Sequence, residues 1–220
     1  MENIYQSQYQ QDDILNQLYF KDKQNGVFVD IGAHDGKTLS NTYFFEKGLK
    51  WKGICIEPLP KVFQQLKANR DCILVEGCAW KEDTTKTFRM IEGYSEMLSG
   101  LVDTYPQQHI DRINTETANN PQVVKDIEVQ CYDINKLLAS NNLLNIDLLS
   151  IDIEGGELEV LKQIDYDTVN IDVLLVENNY EDETLRSFLQ SKGYVYTYRI
   201  AIDDVFVKQG TYIDLNNIEE

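Results

Sequence analysis

Short aliphatic and β-branched runs recur along the chain with amphipathic stretches between them. That order constrains the fold more than any other feature. The runs are GVFVDIG (26–32), GICIEP (53–58), CILVEG (72–77), IDLLSIDIEGGE (146–157) and IDVLLVENN (171–179). Each is too short for a buried helix and is bounded by glycine, proline or polar residues, so each reads as a strand. Between the second and third runs, PKVFQQLKANR (60–70) sets Val62, Phe63 and Leu66 at helical spacing behind a proline suited to a helix start. GELEVLKQI (156–164) and DETLRSFLQSKG (182–193) read as further helices, the second with Leu185, Phe188 and Leu189 on one face and Gly193 as its stop. Strands alternating with helices predict a parallel sheet covered by helices. YVYTYRI (194–200) and DVFVKQG (204–210) predict an antiparallel pair at the C-terminal edge.

One stretch breaks the alternation. Residues 92–126, EGYSEMLSGLVDTYPQQHIDRINTETANNPQVVKD, are polar, contain Pro106 and Pro121, and show no sustained period. They read as an irregular lid-like insertion, after which IEVQCYDINKLLAS (127–140) resumes as a strand running into a short helix. Without repeats or a low-complexity linker, the expectation is a single domain over 1–220. A chain of 220 residues suits that size.

Charge narrows the function. With 37 acidic against 20 basic side chains the net charge is −17, which disfavours anionic lipid and nucleic acid as partners. Cys55, Cys72, Cys78 and Cys131 show no CxxC spacing and read as thiols in a reducing compartment. The polar N-terminus carries no signal-peptide pattern and no run is long enough to span a bilayer, so the expected location is cytoplasmic.

The turn after the first run, VDIGAHDGKTLSNT (29–42), is where an open α/β sheet binds its ligand. The dinucleotide pattern GxGxxG fails, because His34 and Lys37 stand where the second and third glycines belong. The phosphate-loop frame fails too, because Ile31 stands where its first glycine belongs relative to Gly36-Lys37-Thr38. What remains is a turn with Gly32 and Gly36 and the carboxylates Asp30 and Asp35. Glu57 ends the second run, where an acidic residue accepts from ribose hydroxyls. Small residues in EGCAW (76–80) leave room for an adenine edge. Adenine, ribose and a cationic group without phosphate describe S-adenosylmethionine.

Several stretches together carry a family resemblance: FVDIGAHDG, SNT (40–42), WKGICIEPLP (51–60), ANRDC (68–72), LLSIDIEGGELEVL (148–161) and the lead-in SQYQQDDIL (7–15). The chain resembles the FkbM-type S-adenosylmethionine-dependent O-methyltransferases, in order and over nearly its whole length except 92–126. The resemblance implies a Rossmann-like class I methyltransferase fold, with a mostly parallel seven-stranded sheet and an antiparallel C-terminal strand. It implies that Asp30, Gly32, Ala33, Asp35 and Gly36 meet the methionine part of S-adenosylmethionine. Glu57 and Pro58 would meet the ribose, Gly77, Cys78 and Ala79 the adenine, and Asp152 would lie beside the transferred methyl. The family commonly carries Asn at the position of His34.

Methyl transfer to oxygen needs an aligned acceptor and a base. The candidates are Asp152, Glu154, His34 and Glu177, each at a predicted strand end or in the loop after it. Asp152 comes first, because a carboxylate directly after LLSI needs a partner. His34 reads equally as a turn residue, and Glu154 as a residue at the start of the next helix. Glu157 reads as structural. Glu177 and Asn178 are candidate acceptor-binding residues, as are Tyr94 and His109 of the insertion, where Tyr105 and Arg112 also lie. Asp152 with Glu154 are two carboxylates, too few to define a metal site, and none is assigned. The expected acceptor is a hydroxyl of a small molecule, a sugar, nucleotide-sugar or glycan first. The alternatives are a protein or RNA methyltransferase and an inactive Rossmann-like binding module.

Overall fold

The computed structural model describes residues 4–211, so the first three and last nine residues of the expected 1–220 domain lie outside the described residues. The N-terminal segment enters through α1 (Gln11–Leu15), continued by a π-helical turn to Phe20. Then follow β1 (Val27–Ile31), α2 (Tyr43–Leu49), β2 (Lys52–Glu57), α3 (Pro60–Asn69) and β3 (Ile73–Glu76). A second group comprises β4 (Cys78–Trp80), β5 (Thr84–Glu92), β6 (Gly100–Leu101), α4 (Gln107–Asn119) and β7 (Val123–Asp133). The chain closes with α5 (Ile134–Ser140), β8 (Asn145–Ile151), α6 (Glu157–Leu161), β9 (Asn170–Glu177), α7 (Glu183–Ser191), β10 (Tyr194–Ile200) and β11 (Asp203–Lys208).

The main sheet has seven strands in the order β10-β11-β9-β8-β1-β2-β3. β1 pairs in parallel with both β2 and β8, and β11 runs antiparallel between β9 and β10. The mostly parallel sheet with one reversed C-terminal strand is the one expected. Central strands are apolar on both faces because helices cover both: Val29 and Ile31 join one core with α5, α6 and α7, while Phe28 joins the other with α2, α3 and Trp51. Local signals set the helix ends. Pro60 opens α3, and the Asp182 carboxylate caps α7 by accepting from the Thr184 amide at 2.8 Å.

The insertion is the correction. Residues 92–126 are not irregular: they hold the 13-residue helix α4 and the start of β7, an 11-residue strand. β7 pairs along its length with β5 in a second sheet of order β4-β7-β5-β6. α4 buries only His109 and Ile113, so its sequence carries almost no apolar stripe. In β5, Thr85 and Thr87 are exposed on one face while Thr84 and Lys86 are half-buried on the other. The second sheet seats on the main body through Phe88, Leu101, Val129 and Cys131 against Leu59 and Val62.

Candidate active site

The chain leaves β1 for β2 on one side and returns through β8 on the other, so the carboxyl ends of β1 and β8 mark the switch in strand order. The chain packs tightly there. Gly32 has φ 89°, and a Cβ on it would stand 1.8 Å from the Asp152 carbonyl oxygen. A cavity of about 370 Å³ opens at this point, a size suited to a small ligand. The strand ends form its floor, Gln8, Tyr9 and Gln11 one wall, and Glu96, Met97 and Arg112 from the second-sheet side another.

Of the residues singled out from sequence, Asp30, Gly32, Ala33, His34, Glu57, Pro58, Gly77, Cys78, Ala79, Asp152, Glu154 and Glu177 line this cavity. The Glu57 carboxylate accepts from the Leu59 amide at 2.8 Å and the His34 amide at 3.0 Å. Burial nevertheless raises its carboxyl to about 7, the two amides opposing the rise. Asp30 accepts from the Thr42 hydroxyl and lies 3.8 Å from the Arg70 guanidinium, so much of its charge is met within the protein. His34 sits in the left-handed region at φ 49°, as a turn residue would, and its Nε2 lies 3.2 Å from Glu96.

Five expected residues lie outside the lining. Asp35 faces its own turn, accepting from the Lys37 and Thr38 amides at 2.8 and 2.6 Å. Burial alone would raise its carboxyl, but the Thr38 hydroxyl and these amides hold it below the ordinary value. Gly36 makes room for Leu66 and Arg70 rather than for a ligand. Asn178 is locked in a buried bond to Asp204 at 2.8 Å, and its neighbour Asn179 reaches the cavity instead. Tyr94 is 81% exposed and is not among the residues that line the cavity. His109 is buried beneath the site and reaches it only through Glu154.

Sequence reasoning also passed over Asn41. Its Nδ2 donates to Ser150 Oγ at 3.3 Å, while its Oδ1 is buried at the cavity without a donor. The signal was present in SNT, but an asparagine in a loop has too many ordinary uses to single out.

Three carboxyls converge at the floor: oxygens of Asp152, Glu154 and Glu177 lie within 4.8 Å of one another. Asp152 is open to the cavity yet hemmed in by protein on its other sides. Burial and the charge of Asp203 raise it to about 7. Burial, then the charge of Asp152, holds the Glu177 carboxyl well above the usual range. Glu157 is structural, its carboxylate accepting from the Ile153 and Gly155 amides.

A family model described as the methyltransferase FkbM domain matches residues 30–196. The chain belongs to the FkbM methyltransferase family. Its sheet order is accordingly that of the class I, Rossmann-like methyltransferases, and the family's methyl donor is S-adenosylmethionine. A curated relative, "Methyltransferase 1" of Beauveria bassiana (strain ARSEF 2860), is 25% identical over 186 residues, 77% of this chain and 72% of that one. Among solved structures, the FkbM methyltransferase of Methylobacillus flagellatus KT is similar at 14% identity and TM-score 0.45. The match covers 84% of this chain but 44% of that chain, so this chain spans less than half that relative's length. M. capricolum TrmK in complex with S-adenosyl-homocysteine is similar at 13% identity and TM-score 0.43, covering 95% and 71%. The Methanococcus jannaschii fibrillarin pre-rRNA processing protein is similar at 13% and 0.46, covering 94% and 77%.

The cavity suits the donor of an FkbM methyltransferase. Its lining is acidic, with Arg112 the one arginine or lysine among the described residues that form it. The unpaired Asn41 oxygen asks for a hydrogen-bond donor, which an α-ammonium supplies.

Proposed function

We propose that this FkbM methyltransferase transfers the methyl group of S-adenosylmethionine to a hydroxyl of a small molecule, with a sugar, nucleotide-sugar or glycan as the leading acceptor class. One observation carries the reading. Asp152 stands open to the cavity at the end of β8, with carboxyl oxygens of Glu154 and Glu177 within 4.8 Å, and burial with the charge of Asp203 raises its carboxyl to about 7. A base titrating near the working pH is efficient at removing a hydroxyl proton. When bound, S-adenosylmethionine supplies an electrophilic methyl on a sulfonium. The chain's own residues do the rest. Glu57 and the small residues Gly77 to Ala79 would hold the adenosine. Asp30 and Asn41 would face the methionine part. Asp152 would take the acceptor proton, and most of the acceleration comes from alignment. Tyr9, Leu39 and Met97 are partly exposed at the cavity and give an acceptor apolar surface to rest on. The acidic lining opposes an RNA acceptor, and the reading places the reaction in the cytoplasm, with the four cysteines as thiols.

Thermal denaturation with S-adenosylmethionine, S-adenosylhomocysteine, NAD and ATP in parallel tests the donor. Only the first two should raise the melting temperature, because a ligand of the folded state stabilises by mass action. A panel of sugars, nucleotide-sugars, peptides and RNA, read by S-adenosylhomocysteine release, then tests the acceptor. Turnover with peptide or RNA alone would sink the small-molecule reading.

A further inference from the structure

His109 is 1% exposed and comes from α4 of the second-sheet region, yet it touches the catalytic end of β8. Its Nε2 lies 3.1 Å from the Leu98 carbonyl oxygen, and its Nδ1 lies 3.3 Å from Glu154 Oε2. Its ring packs against Tyr105, centroids 4.5 Å apart. A carbonyl oxygen can only accept, so Nε2 must carry a hydrogen and donate it. In a neutral ring Nδ1 then has only a lone pair. Facing it is a carboxyl oxygen that, when ionised, also has only lone pairs. Both atoms are buried, and neither makes a hydrogen bond of normal geometry to any atom, each other included. Two acceptors 3.3 Å apart are repulsive unless one proton lies between them.

We propose that His109 is a positioning residue that acts through Glu154: the two side chains hold a single proton between them, keep Glu154 from adding a second negative charge beside Asp152, and leave Asp152 as the base. This rests on the methyltransferase reading, but the pairing itself can be tested without turnover.

The surroundings favour the shared proton. Burial first, then the charge of Asp152, pushes the Glu154 carboxyl up to about 9, while burial pushes His109 down. The acids that face the pair are Asp152, Glu157, Glu177 and, from α4, Glu116. Opposing them is Arg112, whose Nη1 is 3.7 Å from Glu154 Oε2, beyond hydrogen-bond reach. Tyr105 and Tyr180 also face it and stay neutral, burial raising both phenols. With Glu154 neutral, the floor can bear an ionised Asp152. With Glu154 ionised, Asp152 would be harder to ionise and the base would fail at neutral pH.

The chain has two histidines, so nitrogen-15 NMR of tag-free, histidine-labelled protein resolves both, with His34→Gln assigning them. His109 should be the neutral Nε2–H tautomer, and its Nδ1 signal should show one alkaline step as the shared proton leaves. Glu154→Met, of similar length but unable to share a proton, should abolish that step. An Nδ1–H tautomer, or the same titration in wild type and Glu154→Met, overturns the proposal.

Kinetics with an acceptor from the panel provide the second readout. His109→Phe keeps the ring packing but offers Glu154 nothing. It should lower kcat roughly tenfold, less than loss of a base itself, and displace the pH limb of kcat to higher pH. His109→Gln offers an acceptor to Glu154 and a donor to Leu98, and should restore the limb. Wild-type limbs in both variants refute the role. Should the NMR pairing hold while no acceptor turns over, the functional reading fails and the pairing stands.

Discussion

Glu57 and Asp152 divide the site at the residue level. Glu57 was legible as an acid ending a strand, but its part in shaping the glycine turn was not, because the amide it holds belongs to His34, 23 residues away. Glu57→Gln replaces one accepting oxygen by an NH₂ that confronts a backbone N–H. It should therefore cost roughly 1–3 kcal/mol of stability as well as weakening donor binding. Urea denaturation and calorimetry on the same variant check both halves, and loss of affinity at unchanged stability would contradict the geometry. Asp152→Asn should bind S-adenosylhomocysteine normally and lose on the order of 10²–10⁴-fold in kcat. A Kd that rises in step with the loss would move Asp152 from base to binding residue. Asp35 shows the limit of such reading. A carboxylate in a glycine turn looks the same in sequence whether it faces a ligand or, as here, the amides of its own turn.

Among elements, legibility followed burial. The central strands of the main sheet and helices α3 and α7 announced themselves because each buries an apolar face and is bounded by turn residues. The second sheet did not, because β5 and β7 expose one face and α4 presents two buried residues in 13, one of them a histidine. The joint between α3 and the glycine turn was equally hidden. Arg70, at the end of α3, has a fully buried side chain. It donates to Glu46 on α2, to the Gly36 carbonyl at 3.1 Å and to the Thr42 hydroxyl at 2.9 Å. That one guanidinium ties two helices to the loop that lines the cavity. Arg70→Met leaves Asp30 buried without its cation and Glu46 with Lys47 alone, which should cost about 3–5 kcal/mol. For a chain of this length the melting temperature should fall by roughly 10 °C, and a fall of only a degree or two would show that the network is replaceable.

In the molecule as a whole, a group of acids in and around the cavity sits where charge costs most. Burial raises Glu57 and Asp152 to about 7, Asp203 to about 6 and Glu154 to about 9. In the unfolded chain these carboxyls titrate near 4. Between those limits the folded state binds more protons than the unfolded one, so the contribution of these groups to stability is greatest below about pH 4, falls as pH rises from there, and is lost by about pH 9. The donor carries a sulfonium, an ammonium and one carboxylate, a net positive charge that favours the ionised cavity. Its binding should therefore release protons, and its affinity should rise from about pH 6 to about pH 8. Calorimetry in two buffers of different ionisation enthalpy measures the release directly, and melting curves at about pH 5.5 and 8.5 measure the loss of stability without ligand. The stabilising effect of the donor should be larger at the higher pH, where the empty cavity is under greatest repulsion. Proton uptake on binding, or a melting temperature that climbs with pH, would mean that these acids are already ionised and neutralised inside the protein. The cavity would then have no unmet negative charge to offer a cation.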